Sequence, residues 1–261
     1  MENEIYLDNS FTNDVGFKVI KKWLSNNSQC IENKDYFLNL RPTNDKKLLD
    51  VEFQHTDEIV ASMQRKENLP HIKIQSMNKT IQLLEVKEYA LQRLEIIEIR
   101  KLLEYYVSLN KKTKGKHFEL WSKIIKTYNE LNLVISEINH VFDESGNIKD
   151  NASKNLKTIN KAIKNIHKNI EKKIQTEFKK YTKLGYLKEH KIIYKAEKAT
   201  LPVISSYKNK VKGIVDSYSA TGQTSFMQPF SVLELNNELN EVLISKEKEI
   251  RKILKDLTSK I

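Results

Sequence analysis

Lys188, Lys191, Lys195, Lys198, Lys208, Lys210 and Lys212 crowd into one short stretch of the chain, with Tyr194 and Tyr207 among them. Such a set has one obvious chemistry, attraction to phosphate. A lysine ammonium is a compact point charge that meets a phosphate oxygen without reading a base, whereas arginine offers a planar, bidentate fork. The arginines are Arg41, Arg65, Arg93, Arg100 and Arg251, none of them in this stretch. Nucleic acid bound here would be held by its backbone, with weak sequence preference and strong salt dependence. Gln223 or Thr221, on either side of Gly222 at a glycine turn, is a further candidate donor for phosphate. A second reading is that lysines on exposed strands guard a sheet edge against aggregation.

The charge is not evenly spread. The chain has 261 residues and a net charge of +11, with 45 Lys and Arg against 34 Asp and Glu. From Lys149 to Lys212, 18 lysines stand against five acids: Asp150, Glu171, Glu177, Glu189 and Glu197. Abundant Lys, Asn and Ile throughout explain part of the charge but not its concentration. A basic chain favours polyanions. Within this segment Lys157, Lys161, Lys164, Lys168, Lys172 and Lys173 are read as a solvated helix face.

Catalysis finds no support. His55, His71, His117, His140, His167 and His190 are scattered. His55 and Asp57 stand two apart, which points them away from one another on a helix. His140 near Asp143 and Glu144 reads as a helix-end histidine beside a turn, not as a metal ligand. A phosphate-cradling loop needs G-x-x-x-x-G-K-[ST], and Gly115-Lys116-His117 lacks both the first glycine and the hydroxyl. No active site, metal or cofactor is expected in this segment. Cys30 is the sole cysteine, so no internal disulfide forms. The Met1–Asp8 start lacks the pattern of a secretory signal, and no apolar run is long enough to span a membrane. A cytoplasmic protein without a membrane partner is expected.

Helices must carry most of the chain, because Gly (6) and Pro (4) are scarce. Phe17, Ile20, Trp23 and Leu24 fit one face of a short helix. Thr43 is the expected N-cap of a helix carrying Leu48, Phe53, Ile59 and Met63. A long helix is expected from about Ser76 to Leu109, and a strong stripe runs from Phe118 to Phe142. Trp23 and Trp121 are assigned to core packing. Ser153 then caps a helix whose apolar seam is Leu156, Ile159, Ile163, Ile166, Ile170 and Ile174. A second seam runs Val232, Leu235, Leu239, Val242, Lys246, Ile250, Ile253 and Leu257. Paired antiparallel, the two would hide both seams.

Between them the pattern shortens. Ile192–Tyr194, Leu201–Ile204, Lys212–Asp216 and Thr224–Met227 read as strands broken by turn residues, with Asn209 and Gly222 as turns. Pro202 lacks a ladder donor, which favours an edge or a bulge. A small antiparallel sheet of about four strands is expected.

At this point the sequence resembles the MutS2 branch of the MutS family. Asp143-Glu144-Ser145-Gly146-Asn147-Ile148-Lys149-Asp150-Asn151-Ala152-Ser153 is similar to its D-x-x-G-x-I-x-D-x-A-S segment. Leu201-Pro202-Val203, Val211-Lys212-Gly213-Ile214-Val215 and Ser219 to Pro229 resemble its clamp strands and their S-x-x-G-x-T-x-F-x-x-P ending. Leu235-Asn236-Asn237-Glu238-Leu239 is similar to its L-N-N-E-L helix start. Glu197, Lys198, Ala199 and Thr200 stand where the family often carries an arginine, which argues against base reading by that strand.

The resemblance implies a mainly α chain: a helical core (1–148), a long antiparallel coiled-coil-like lever (149–183 and 230–261) and a small antiparallel β clamp (184–229). It implies that the arm pairs with a second copy in a homodimer and encloses duplex or branched DNA. The ATPase of the family would follow, and its nuclease-like domain is also missing. With the second seam still running at Ile261, a fragment or a truncated relative of a larger ATPase is expected. Mismatch repair, suppression of recombination and ribosome rescue remain open as cellular uses. The alternative to DNA gripping is a protein-interaction or dimerisation arm, for example one docked on a ribosome.

Overall fold

The computed structural model describes residues 15–67, 69–115, 117–195 and 198–261, with the side chain of Lys195 outside the description. Lys116, Glu197 and the Met1–Asp8 start, used above, lie outside the described residues. The chain is mainly helical with one small sheet, and it divides into two units.

The first unit comprises the residues up to Asn147 together with Leu254–Ile261. It contains α1 (Phe17–Asn27), α2 (Ile31–Leu38), α3 (Lys46–Gln64), α4 (Asn78–Leu84), α5 (Arg93–Thr113), α6 (Glu119–Ile124) and α7 (Glu130–Val141). Asp45, not Thr43, caps α3: its carboxylate accepts from Leu48 N at 3.2 Å, while Thr43 Oγ1 accepts from Asp45 N. The stretch expected as one helix from Ser76 is two. Glu88 adopts a left-handed φ of 68°, and Gln92 with Glu95 then builds a capping box that starts α5 afresh.

The stripe from Phe118 is broken in the same way. Asn110 and Tyr106 donate to the carbonyls of Ile125 and Lys126, which holds the α6–α7 link in a non-helical path. Leu91, Ile96, Ile99, Ile138 and Phe142 are buried in this unit. Trp121 is pinned, with Nε1 donating to His55 O at 2.9 Å. Trp23, assigned to a core by its spacing, is instead 64% exposed.

The second unit, Ile148–Ile253, is built on two long helices and a sheet. Helix α8 (Lys154–Lys183) starts at Ser153, whose Oγ accepts from Leu156 N at 2.9 Å. The same hydroxyl donates to Glu249 Oε1 at 2.6 Å, and Asn155 donates to Glu249 Oε2 at 2.7 Å. Glu249 belongs to α9 (Phe230–Thr258). At the other end Ile170, Ile174 and Tyr181 of α8 share a core with Val232 and Leu239 of α9. The start of α8 thus meets the late part of α9, and its end meets the beginning of α9, so the two run antiparallel. Leu156, Ile166, Ile170 and Ile174 are buried, whereas Ile159 and Ile163 are half-buried.

The sheet holds β1 (Ile193–Lys195), β2 (Lys198–Ile204), β3 (Gly213–Tyr218) and β4 (Thr224–Pro229) in the order β1-β2-β4-β3, all antiparallel. Residues 199–203 of β2 are buried without a break, as a strand covered on both faces must be. The Asn209 turn is a 3-10 helix, Ser205–Lys210. Pro202 lies inside β2, not at a free edge. Its carbonyl accepts from Lys188 N at 2.8 Å. In an antiparallel ladder the N–H and C=O of one residue face the same neighbour. The missing donor therefore faces Lys188, and the pairing with β4 needs nothing from residue 202. Gly213 has its own reason to be glycine: a Cβ there would lie 2.3 Å from the backbone oxygen of Gln228.

Candidate nucleic-acid interface

The 3-10 helix Ser205–Lys210 and the β3–β4 turn are tied together by Ser205. Its N–H donates to Gln223 O at 3.0 Å, its Oγ donates to Gly222 O at 2.6 Å, and the hydroxyls of Ser205 and Ser225 lie 2.9 Å apart. Gly222 adopts φ +70°, the left-handed conformation that glycine takes without a steric cost. Thr224 N donates to Ser219 Oγ and Ser219 N to Thr224 O, so the serine and threonine of the motif close the turn upon each other. Gln223 is thereby held exposed at the tip, next to the lysine-bearing helix.

Tyrosines line up behind those lysines. Tyr207 stacks on Tyr186 with centroids 4.9 Å apart, and Tyr186 stacks on Tyr181 at 6.2 Å. Lys210 Nζ lies 5.3 Å from the Tyr207 centroid and 5.8 Å from that of Tyr186. Lys208 Nζ lies 5.6 Å from the exposed Tyr218 ring. An exposed cation–π contact contributes about 0.5–1 kcal/mol. That biases an ammonium toward one position without cancelling its charge. It also occupies the ring faces, which turns the tyrosines into lysine supports more than base-stacking platforms. The backbone of Lys212 donates to the buried Tyr181 hydroxyl at 3.1 Å, leaving its side chain exposed.

The remaining lysines differ. Lys188 and Lys191 are exposed on the segment before β1, and Lys191 lies 3.7 Å from Glu189. Lys198 is half-buried, 3.8 Å from Asp216 Oδ1. The same Asp216 oxygen accepts from Gln228 Nε2 at 2.9 Å, and Gln228 Oε1 accepts from Asn236 Nδ2 at 3.1 Å. Gln228 and Asn236 are both buried. This chain of polar groups joins β2, β3, β4 and the start of α9, so Lys198 serves the architecture as well as the charge. Tyr194 presents a phenol whose pKa is raised, first by partial burial and then by the Glu171 carboxylate, so it stays protonated at neutral pH.

The structure thus brings Tyr207, Lys208, Lys210 and Gln223 into one neighbourhood, with Lys212 just beyond the 3-10 helix. Tyr186, Tyr218, Asp216 and Asn236 were not singled out as site residues from the sequence. The order Tyr181, Tyr186, Tyr207 was visible, but only the fold stacks the rings. Among the described residues no three His, Cys, Asp or Glu side chains are grouped to hold one ion, and no helix is long and apolar enough to cross a membrane.

No family profile matches the chain. It is similar to proteins named Endonuclease MutS2. The Borreliella burgdorferi protein is 35% identical over 95 residues, 36% of this chain and 12% of that protein. The Carboxydothermus hydrogenoformans protein is 38% identical over 96 residues, 35% of this chain and 12% of that one. The Caldicellulosiruptor bescii protein is 28% identical over 239 residues, 91% of this chain and 30% of its own length. In each case the matched stretch is under a third of the relative.

Proposed function

Because the chain is related to the MutS2 branch of the MutS family, we propose that its second unit grips duplex or branched DNA, chiefly through backbone phosphates. The observation that carries this reading is the set of ammonium groups on the 3-10 helix, supported on tyrosine rings and joined by Ser205 to the Gln223 tip. Residues 184–229 act as the clamp. The antiparallel pair α8 and α9 acts as the lever, and residues 1–148 as the core. Gripping needs two arms, so the working form is a homodimer. The relatives are named endonucleases; this segment contributes binding, while ATP hydrolysis and strand cleavage reside in the parts of such proteins that it does not match.

The test is binding of this chain to duplex, branched and single-stranded DNA across a salt series. Each lost phosphate contact lowers the slope of log K against log salt by about 0.9 on duplex. Replacing Lys208, Lys210 and Lys212 by Gln is expected to flatten the slope by about 2–3 and to weaken binding at least tenfold at low salt. Unchanged affinity in that variant, or binding of the parent that ignores salt, contradicts the reading.

A second reading, a protein-interaction module, is favoured by the first unit. Val19 and Met63 there are about 70% exposed, with Trp23 and Phe53 also open. Concentration-dependent self-association or ribosome binding without affinity for DNA would favour it.

A further inference from the structure

Helix α8 carries a second charged surface, apart from the head. Lys157, Lys161, Lys164, Lys168, Lys172 and Lys179 are all exposed. At about 100° per residue they fall within a sector of roughly 80°, and Gln175 falls there too. Leu156, Ile166, Ile170, Ile174 and Tyr181, the buried side of the same helix, centre on the opposite side. No acid of α8 falls in the lysine sector: Glu171 flanks it, and Glu177 pairs with Lys180 at 3.7 Å. Asp150, ahead of the helix, lies 3.4 Å from Lys164.

The sequence alone favours a solvated face for Lys157, Lys161, Lys164, Lys168 and Lys172. A solvated face, however, normally mixes both signs at i, i+4 spacing, because like charges one turn apart repel and destabilise a helix. Here like charges repeat turn after turn. From Lys157 to Lys179 the row extends about 33 Å at 1.5 Å per residue. That matches about ten base-pair steps of duplex, each bringing a phosphate on both strands.

We propose that the α8 lysine row is a second phosphodiester track that receives the DNA duplex leaving the head. The proposal rests on the head reading above. The C-terminal end of α8 lies in the head core through Tyr181, two residues after Lys179, and the Tyr181 hydroxyl accepts from the backbone of Lys212, so the row ends beside the head. The row has no partner of complementary charge on its own helix, and a duplex backbone supplies one at matching length. Contact is again with phosphates alone, so it lengthens the bound footprint without adding sequence preference.

The test compares a duplex of about 10 base pairs, enough for the head, with one of about 24. The probe variants are Lys161→Gln, Lys168→Gln and Lys172→Gln combined, the same three positions changed to Arg, and the Lys208/Lys210/Lys212→Gln head variant. Gln keeps good helix propensity, and circular dichroism checks the helix. The α8 Gln variant is expected to lose at least tenfold in affinity on the long duplex, with a salt slope lower by about 2–3. On the short duplex it equals the parent, and the Arg variant equals the parent on both. The head variant loses binding on both lengths. An α8 Gln variant that binds the long duplex like the parent overturns the track, whether or not the head variant fails. Vesicles containing anionic lipid provide the other arm: if they bind the parent and release the α8 variant while long-duplex binding is unchanged, the row serves a membrane surface and the proposal is wrong. A head variant that binds both duplexes like the parent overturns the head reading instead, independently of the α8 result.

Discussion

In the second unit β2 is buried over five consecutive residues, 199–203, and Ile174 of α8 and Val232 of α9 close over it with no exposure at all. In the first unit α1 and α3 present Val19, Trp23, Phe53 and Met63 to the outside, although their spacing is as helical as that of the α8 seam. Periodicity records that a helix has an apolar face; it does not say what covers the face. In the second unit the sheet and the opposite helix do so within the same stretch of chain. In the first unit the described residues leave part of that surface open, as an interaction surface would be.

The comparison breaks most sharply at Ile174. Ile174→Ala removes a fully buried side chain and is expected to lower the stability of the second unit by about 2–5 kcal/mol, measured by denaturant titration with a probe in the head. If that variant unfolds like the parent, the α8–sheet core is not what holds the head. The Glu249 clasp comes next. Ser153 first, then Asn155, hold its pKa below the ordinary value of 4.5 by donating to the carboxylate. The folded form therefore favours the ion. Its stabilising share is fully present above pH 4.5 and is lost as pH falls through the lowered folded value. Glu249→Gln should flatten that acid-side decline in a pH series of melting curves, and an unchanged decline would assign it to other carboxylates. The smallest effect belongs to the first unit: Trp23→Ser should move stability by no more than about 0.5 kcal/mol. A loss of several kcal/mol would mean that Trp23 is covered in solution.

The sheet was legible because β-branched runs and turn residues alternate over short distances, and Ser153 and Gly222 carry their reasons locally. The break at Glu88 was not. Apolar spacing continues across it, and the new helix is set by the Gln92–Glu95 capping box, whose weight only appears once the chain turns. Thr43 and Asp45 are both good caps, and the choice between them rests on which side chain reaches Leu48 N. Lys198 reads as one lysine of a patch. Its link to Asp216, and through Gln228 to Asn236, joins residues far apart in sequence, and no local pattern announces it. The stacking of Tyr186 under Tyr207 is of the same kind.

The central claim is that DNA lies against the 3-10 helix and the turn beside it. Lysine footprinting tests it most directly: the chain is acetylated with and without saturating duplex, and each lysine is quantified by mass spectrometry. The account predicts strong protection of Lys208, Lys210 and Lys212 and none of Lys22 and Lys47, exposed lysines of the first unit. Protection confined to first-unit lysines, with Lys208, Lys210 and Lys212 reacting as in the free protein, would contradict it.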